Sequence, residues 1–323
     1  MRTRRVLALV ASLLVVAAVA TACESDDSPS ADQAPTTVAP ATPTTTAAPP
    51  APDCGNPVAS FAPLNPMPAP GNMPAGSYMD AIQQRGRLIA GVSADTLLFG
   101  YVNPSTGQPE GFDVDLVRDV AEAIFGDRNA VEFRVLTYAQ RIPALMDGSV
   151  DIVADVMTVN CARWDQISFS SQYFDAGQKI LVGKDSPVTD ISQLNGKKMC
   201  AARGSTNIDE LKKYPEVIVV PVDDVSDCMV LFQQGSVDSV TADDTVLAGF
   251  VAQDPYAKIV GNALTSEPYG LGVAKSHPEF VRFVNGVLAD VRDSGRWADM
   301  YQKWLQPTGP APAPPAAVYG RTP

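Results

Sequence analysis

Apolar positions recur along the middle of this chain with alternating strand and helix periods. Apolar residues dominate the short stretch 152–159, interrupted by Asp155. Gly148 and Ser149 precede it and polar residues follow, which favours a buried strand over a helix. That strand delivers Thr158 and Arg163 to its C-terminal end, where ligands of open α/β sheets bind. Upstream, 87–92 reads as a strand. Gly111-Phe112-Asp113 opens a helix with Val114, Val117, Val120 and Ile124 on one face and Gly126 at its end. Residues 131–136 alternate as a strand and 139–146 read as a helix. This β-α-β-α-β succession implies a mainly parallel sheet. A second set follows: strands at 180–183, 198–202, 217–222 and 239–242, with helices opening at Gly204-Ser205-Thr206 and spanning 224–234 and 245–252. Two further helices, 278–292 and 295–305, carry Val284, Val287, Leu288, Val291, Trp297, Tyr301 and Trp304 at helical spacing, a core-packing pattern.

The two ends lack this periodicity. Arg2, Arg4 and Arg5 precede an apolar stretch over 6–20 that ends in Ala20-Thr21-Ala22-Cys23. A positive region, an apolar region and small residues before a cysteine read as a lipoprotein signal over 1–22, with Cys23 the lipidated first residue. Residues 23–75 are rich in Pro, Ala, Thr and Ser and are expected to form an extended tether. A Pro/Ala-rich tail over 307–323 is expected to be disordered.

The net charge of −12 argues against nucleic acid, which needs a Lys/Arg surplus. The single histidine, His277, disfavours Ser-His-Asp, Cys-His and His-rich metal chemistry. No GxSxG, P-loop or HExxH pattern occurs, and Gly270-Leu271-Gly272 lacks the third glycine of a dinucleotide loop. No cofactor, metal or catalytic residue is therefore assigned. Beyond Cys23, four cysteines remain: Cys54, Cys161, Cys200 and Cys228. An even number in an exported chain suggests two disulfides, with three connectivities open.

An ordered set of motifs carries a resemblance. It comprises residues 111–116 (GFDVDL), 142–145 (IPAL), Val150-Asp151, 158–163, 194–198 (LNGKK), Gly204-Ser205-Thr206, 237–240 with Asp243, Tyr269-Gly270 and 295–304. In this order they resemble the bacterial periplasmic amino-acid-binding proteins, the substrate-binding subunits of polar amino-acid ABC importers. Cys200 and Cys228, with 241–249 (TADDTVLAG), resemble the actinobacterial glutamate/glutamine-binding lipoproteins, a group that includes the mycobacterial GlnH-like proteins. The resemblance implies an α/β, two-lobe periplasmic-binding-protein fold of type II, with two hinge strands. Lobe 1 would comprise 76–173 and 270–306, and lobe 2 would comprise 178–267. It pairs Cys200 with Cys228, which leaves Cys54 with Cys161. It implies a monomer, lipid-anchored on the extracytoplasmic face of the cell membrane, that delivers a polar L-amino acid to an ABC permease. A sensor that signals to a membrane receptor is the alternative, and a dehydratase on the same fold a weaker one.

The same resemblance assigns the site. A free amino acid presents a carboxylate and an ammonium, and both need partners when desolvated. Arg163 would grip the carboxylate through two parallel N–H bonds. Thr158 would add its hydroxyl, and the carbonyl of Val156 would face the ammonium. From the second lobe, Thr206 and Ser205 at a helix start suit the carboxylate, and Asp243 matches the aspartate that binds the ammonium. Tyr138 stands where the family places an aromatic lid. Arg141 and Arg203 are extra cations near the expected cleft, which would suit an acidic side chain. Asp95 lies near the end of the first strand, where the family commonly has a polar ligand contact.

Overall fold

Two five-stranded sheets, each with helices against it, are joined by a pair of antiparallel strands. The computed structural model describes residues 52–323. The expected signal, Cys23 and most of the tether therefore lie outside the described residues. The first sheet runs in the order Val131–Val135, Leu88–Val92, Ile152–Ala154, Gly272–Ala274, Ile167–Phe169. Its first three strands are parallel, and Gly272–Ala274 is antiparallel to both neighbours. The second sheet runs Ile218–Val222, Lys198–Ala202, Ser239–Asp243, Phe174–Gly183, Ala257–Val260.

Phe174–Gly183 explains how the lobes are joined. Its N-terminal part pairs antiparallel with Ser266–Tyr269, while its C-terminal part enters the second sheet beside Ser239–Asp243. A two-stranded ribbon of this kind bends at a few residues without disturbing either core, as hinge closure requires. The terminal helices Pro278–Asp293 and Arg296–Trp304 return the chain to the first lobe. There Phe112, Phe174, Trp297 and Tyr301 pack together, with ring centroids about 5–6 Å apart at Phe112–Phe174, Phe112–Trp297 and Trp297–Tyr301.

The helix Phe112–Phe125 sets the binding loop. It starts after Gly111, whose φ of +136° and close approach to the backbone of Phe99 exclude any side chain. Asp113, fully buried on its first turn, accepts from the main-chain N–H of Val156 at 2.8 Å and from the Tyr173 hydroxyl at 2.7 Å. Val156 adopts φ +39°, rare for a β-branched residue. The strand expected over 152–159 therefore ends at Ala154. Arg163 rises instead from the helical turn Cys161–Trp164, which Asn160 caps.

The ends of the described chain depart most from expectation. The tail was expected to be disordered, yet Val318–Arg321 pairs in parallel with Ala59–Phe61. Ser60 is buried, donates to the carbonyl of Phe169 at 2.7 Å and accepts from Asn285. The Arg321 guanidinium lies 4.0 Å over the Trp164 ring. Low complexity predicts disorder because such a segment buries too little to offset its ordering entropy. Here the Cys54–Cys161 disulfide already tethers one segment, and each segment satisfies backbone groups of the other, so few apolar contacts suffice.

Candidate functional site

The site lies where the loop after Ile152–Ala154 meets the helix start after Lys198–Ala202. Tyr138, Arg141, Val156, Thr158 and Arg163 line it from the first lobe. Ser205, Thr206, Asn207, Asp243 and Val246 line it from the second. The lobes are pressed together on it. Thr158 Oγ1 and Thr206 Oγ1 are 3.3 Å apart, and the pocket encloses about 10 Å³, the limit for a single water. An amino acid enters only when the lobes separate. A surface groove of about 480 Å³ elsewhere is far roomier, and in it Asp119 pairs with both Arg128 and Arg296.

Arg163 is buried in the cleft, beside the still more deeply buried Arg141. Its guanidinium donates to the carbonyl of Thr158 at 2.7 Å and, across the cleft, to the carbonyl of Gly204 at 3.1 Å. Burial, and then the like charge of Arg141, push its pKa down to about 9, with Glu267 and Asp243 opposing. Arg163 therefore remains charged at neutral pH and lacks a carboxylate partner within ion-pair distance among the described residues.

Asp243, at the end of Ser239–Asp243, accepts from Asn207 Nδ2 and from the Tyr269 hydroxyl, each at 2.7 Å. Burial and the charge of Glu267 raise its pKa to about 7. A buried carboxylate held near neutrality becomes far more favourable when a cation arrives. Thr206 donates to Glu267 Oε2 at 2.6 Å, so its hydroxyl faces the hinge strand as well as Thr158. Ser205 acts as a helix cap: its hydroxyl donates to Ala202 O at 2.7 Å and accepts from the Ile208 N–H at 3.1 Å. Tyr138 is buried, with the Arg141 guanidinium 4.2 Å over its ring.

Two expected ligand residues stand elsewhere. Arg203 points to solvent, half exposed, and pairs with Asp223 at 3.0 Å. The strand Lys198–Ala202 ends just before it, so the chain turns its side chain away from the cleft. Asp95 does not line the pocket. One of its oxygens accepts from Ser93 Oγ at 2.8 Å and the other from the N–H of Ser226, in the opposite lobe, at 3.0 Å. It bridges the lobes at the rim. The extra cation near the cleft is Arg141 alone, and its side chain is engaged with the backbone: it donates to the carbonyls of Tyr138, Asp155 and Gly204 at 3.0, 2.7 and 3.2 Å.

Sequence reasoning passed over Asn207, Val246 and Glu267. Asn207 directly follows the Gly204-Ser205-Thr206 motif, which could have drawn it in. Glu267 sits on a hinge strand, and only pairing with Phe174–Gly183 brings it to the site.

A cleft between two hinged lobes, with a cation on one and a carboxylate on the other, is a capture device. Residues 88–307 match the bacterial extracellular solute-binding proteins, family 3. The chain belongs to that family. As a family 3 solute-binding protein it works outside the cytoplasm, and its two-lobe architecture is that of the solved members. It is 33% identical over 228 residues to the ABC transporter glutamine-binding protein GlnH of Bacillus subtilis, covering 70% of this chain and 84% of that one. It is 36% identical over 206 residues to the glutamine-binding protein of Geobacillus stearothermophilus, covering 63% and 79%. Among solved structures, it matches the arginine-binding protein of T. maritima (P235GK mutant) with a TM-score of 0.66 at 33% identity, over 71% of this chain and 99% of that one. It matches the solute receptor for L-cysteine of Neisseria gonorrhoeae with a TM-score of 0.68 at 27% identity, over 71% and 94%. The disulfides Cys200–Cys228 and Cys54–Cys161 are both formed, with Cα atoms 5.5 and 5.3 Å apart.

Proposed function

We propose that this solute-binding protein captures a polar L-amino acid by hinge closure and delivers it to an ABC permease, without catalysing a reaction. The observation that carries the reading is the placement of Arg163 and Asp243 on opposite lobes of one buried pocket. Arg163 takes the α-carboxylate, with Thr158 and Thr206 beside it, and Asp243 takes the ammonium. A ligand that carries both charges on one carbon satisfies both lobes only when they close, so binding energy and closure are the same event. Relatives named for glutamine and for glutamate/aspartate support a polar side chain. Cys23, outside the described residues, anchors the protein by lipid to the outer face of the membrane as a monomer. The Cys200–Cys228 disulfide and the glutamate-binding protein GluB of Corynebacterium efficiens, 29% identical over 231 residues, support an actinobacterial lineage close to the GlnH-like lipoproteins.

Calorimetry of the soluble domain against a panel of amino acids tests this reading. Tight binding of one or more of glutamine, glutamate, asparagine and aspartate is expected, with no turnover of prephenate or arogenate. Turnover without tight amino-acid binding refutes it.

A further inference from the structure

Tyr269-Gly270 belongs to the motif set, yet Tyr269 does not line the pocket. Its ring is fully buried, with its centroid about 6 Å from those of Phe99, Tyr173 and Phe174. A phenylalanine would serve that packing; a hydroxyl this deep needs polar partners. It has two. It donates to Asp243 Oδ2 at 2.7 Å and lies 2.7 Å from Thr245 Oγ1. An ionised Asp243, which a bound ammonium requires, can only accept. The single phenolic proton then goes to Asp243, and Thr245 donates to the phenolic oxygen.

The main chain around Tyr269 is fastened to the opposite half of the site. Thr158 and Tyr269 form an isolated antiparallel bridge. The N–H of Val159 donates to the carbonyl of Pro268 at 2.8 Å, and the N–H of Gly270 donates to the carbonyl of Met157 at 3.1 Å. The Thr158 carbonyl in turn accepts from Arg163 at 2.7 Å. Tyr269 also ends the hinge strand Ser266–Tyr269, where it pairs with Phe174. One residue at the hinge thus ties the loop that carries Thr158 and steadies Arg163 to the carboxylate of the second lobe. The other donor to Asp243 is Asn207, which belongs to the second lobe itself and gives no such link.

We propose that Tyr269 is a positioning residue for amino-acid capture: from the hinge, its hydroxyl fixes the Asp243 carboxylate in place relative to the Thr158–Arg163 loop, so that the ammonium and carboxylate of one ligand meet both partners together. This assignment rests on the amino-acid-binding reading above. The same bond favours the ionised form of Asp243. It therefore opposes burial and the charge of Glu267, which raise the Asp243 pKa to about 7. The charged groups facing Asp243 are Glu267 on the same hinge strand, Asp244 next in the chain and Arg163 on the first lobe. A ligand ammonium needs Asp243 ionised, so affinity falls as pH drops through that region. Loss of the hydroxyl starts the fall at a higher pH.

Tyr269→Phe tests this by calorimetry with glutamine and with glutamate at pH 8 and pH 6.5, with thermal unfolding alongside. The substitution keeps the ring packing. The variant is expected to bind about 10-fold more weakly than wild type at pH 8. At pH 6.5 the deficit is expected to grow by at least a further factor of about three. A hydroxyl that serves stability alone lowers the unfolding temperature and leaves the affinity ratio the same at both pH values. That result, or affinity equal to wild type, overturns the assignment and leaves amino-acid capture standing. Placing 3-fluorotyrosine at position 269 retains the hydroxyl and makes it a stronger donor, so the fall in affinity is expected to move to lower pH. An unmoved profile there also overturns the assignment, whether or not Tyr269→Phe folds. Wild type that binds no amino acid overturns the underlying reading as well.

Discussion

Gly204 is the point where closure is most sensitive to a single atom. It belongs to the second lobe, has φ +75° and faces the backbone of the first. A Cβ added there would stand 2.6 Å from Ala139 Cα and 2.7 Å from Ala139 N. Both are backbone atoms on a 3-10 turn packed into its lobe, so they cannot swing aside. Relieving the clash needs the lobes to part by roughly 0.8 Å to reach ordinary contact. That displacement stretches the Arg163 and Arg141 bonds to the Gly204 carbonyl, now 3.1 and 3.2 Å, beyond bonding range. Each charge-assisted bond contributes about 1.5–3 kcal/mol, partly recovered from water, so Gly204→Ala should cost closure about 2–4 kcal/mol and weaken ligand binding roughly 30- to 1,000-fold. The left-handed strain of about 1–2 kcal/mol falls on the open and closed forms alike and lowers only overall stability. Gly235→Ala is the control. It has φ +69° in the same lobe with open space around it, so it carries the strain without the clash. Calorimetry gives the affinities, and small-angle scattering with saturating glutamine gives the closed fraction. Gly204→Ala with affinity and compaction equal to those of Gly235→Ala would refute the reasoning.

Three further outcomes are expected. Arg163→Ala should lower amino-acid affinity at least about 100-fold, a loss on the order of 3 kcal/mol, because the ligand carboxylate is left unpaired; equal binding by a folded variant removes the centre of the proposal. Asp113 has its pKa raised to about 7 by burial, so the folded protein binds a proton more tightly than the unfolded chain, and its contribution to stability is full below about pH 4 and falls as pH rises toward 7. Asp113→Asn can keep both hydrogen bonds, donating to Tyr173 and accepting from Val156, so urea unfolding should show a shallower fall of stability between pH 5 and 7 than in wild type. Replacing both Cys54 and Cys161 by Ser removes a link across 107 residues, worth up to about 5 kcal/mol on loop entropy. Hydrogen exchange should then quicken at 57–61 and 318–321, while ligand affinity changes less than about threefold because the Asn160 cap still positions Arg163.

Much of the fold was legible because burial imposes a period. The helix Phe112–Phe125 shows its buried stripe in Val114, Val117, Val120 and Ile124, and the strands of both sheets show theirs as short apolar runs. Arg163, Thr158 and Asp243 stand within the motifs that carried the resemblance, and the structure brings them to one pocket. Arg203 was misjudged because proximity in sequence to Gly204 says nothing about which way a side chain points at a strand end. The ordered tail was missed because its pairing with Ala59–Phe61 spans more than 250 residues and leaves no local trace.

The sequence by itself determined most of the elements and the family, since periodicity and motifs are local properties of the chain. Tertiary structure alone decided which charges stay free to act. Arg141, Arg203, Asp95 and Asp155 look alike as charged residues near a cleft. Packing engages Arg141 with backbone carbonyls, turns Arg203 to solvent, sets Asp95 across the rim and leaves Asp155 buried and unpaired. The physical reason is that the energy of a charge depends on its partners and its distance from water, and those are fixed only when distant segments meet.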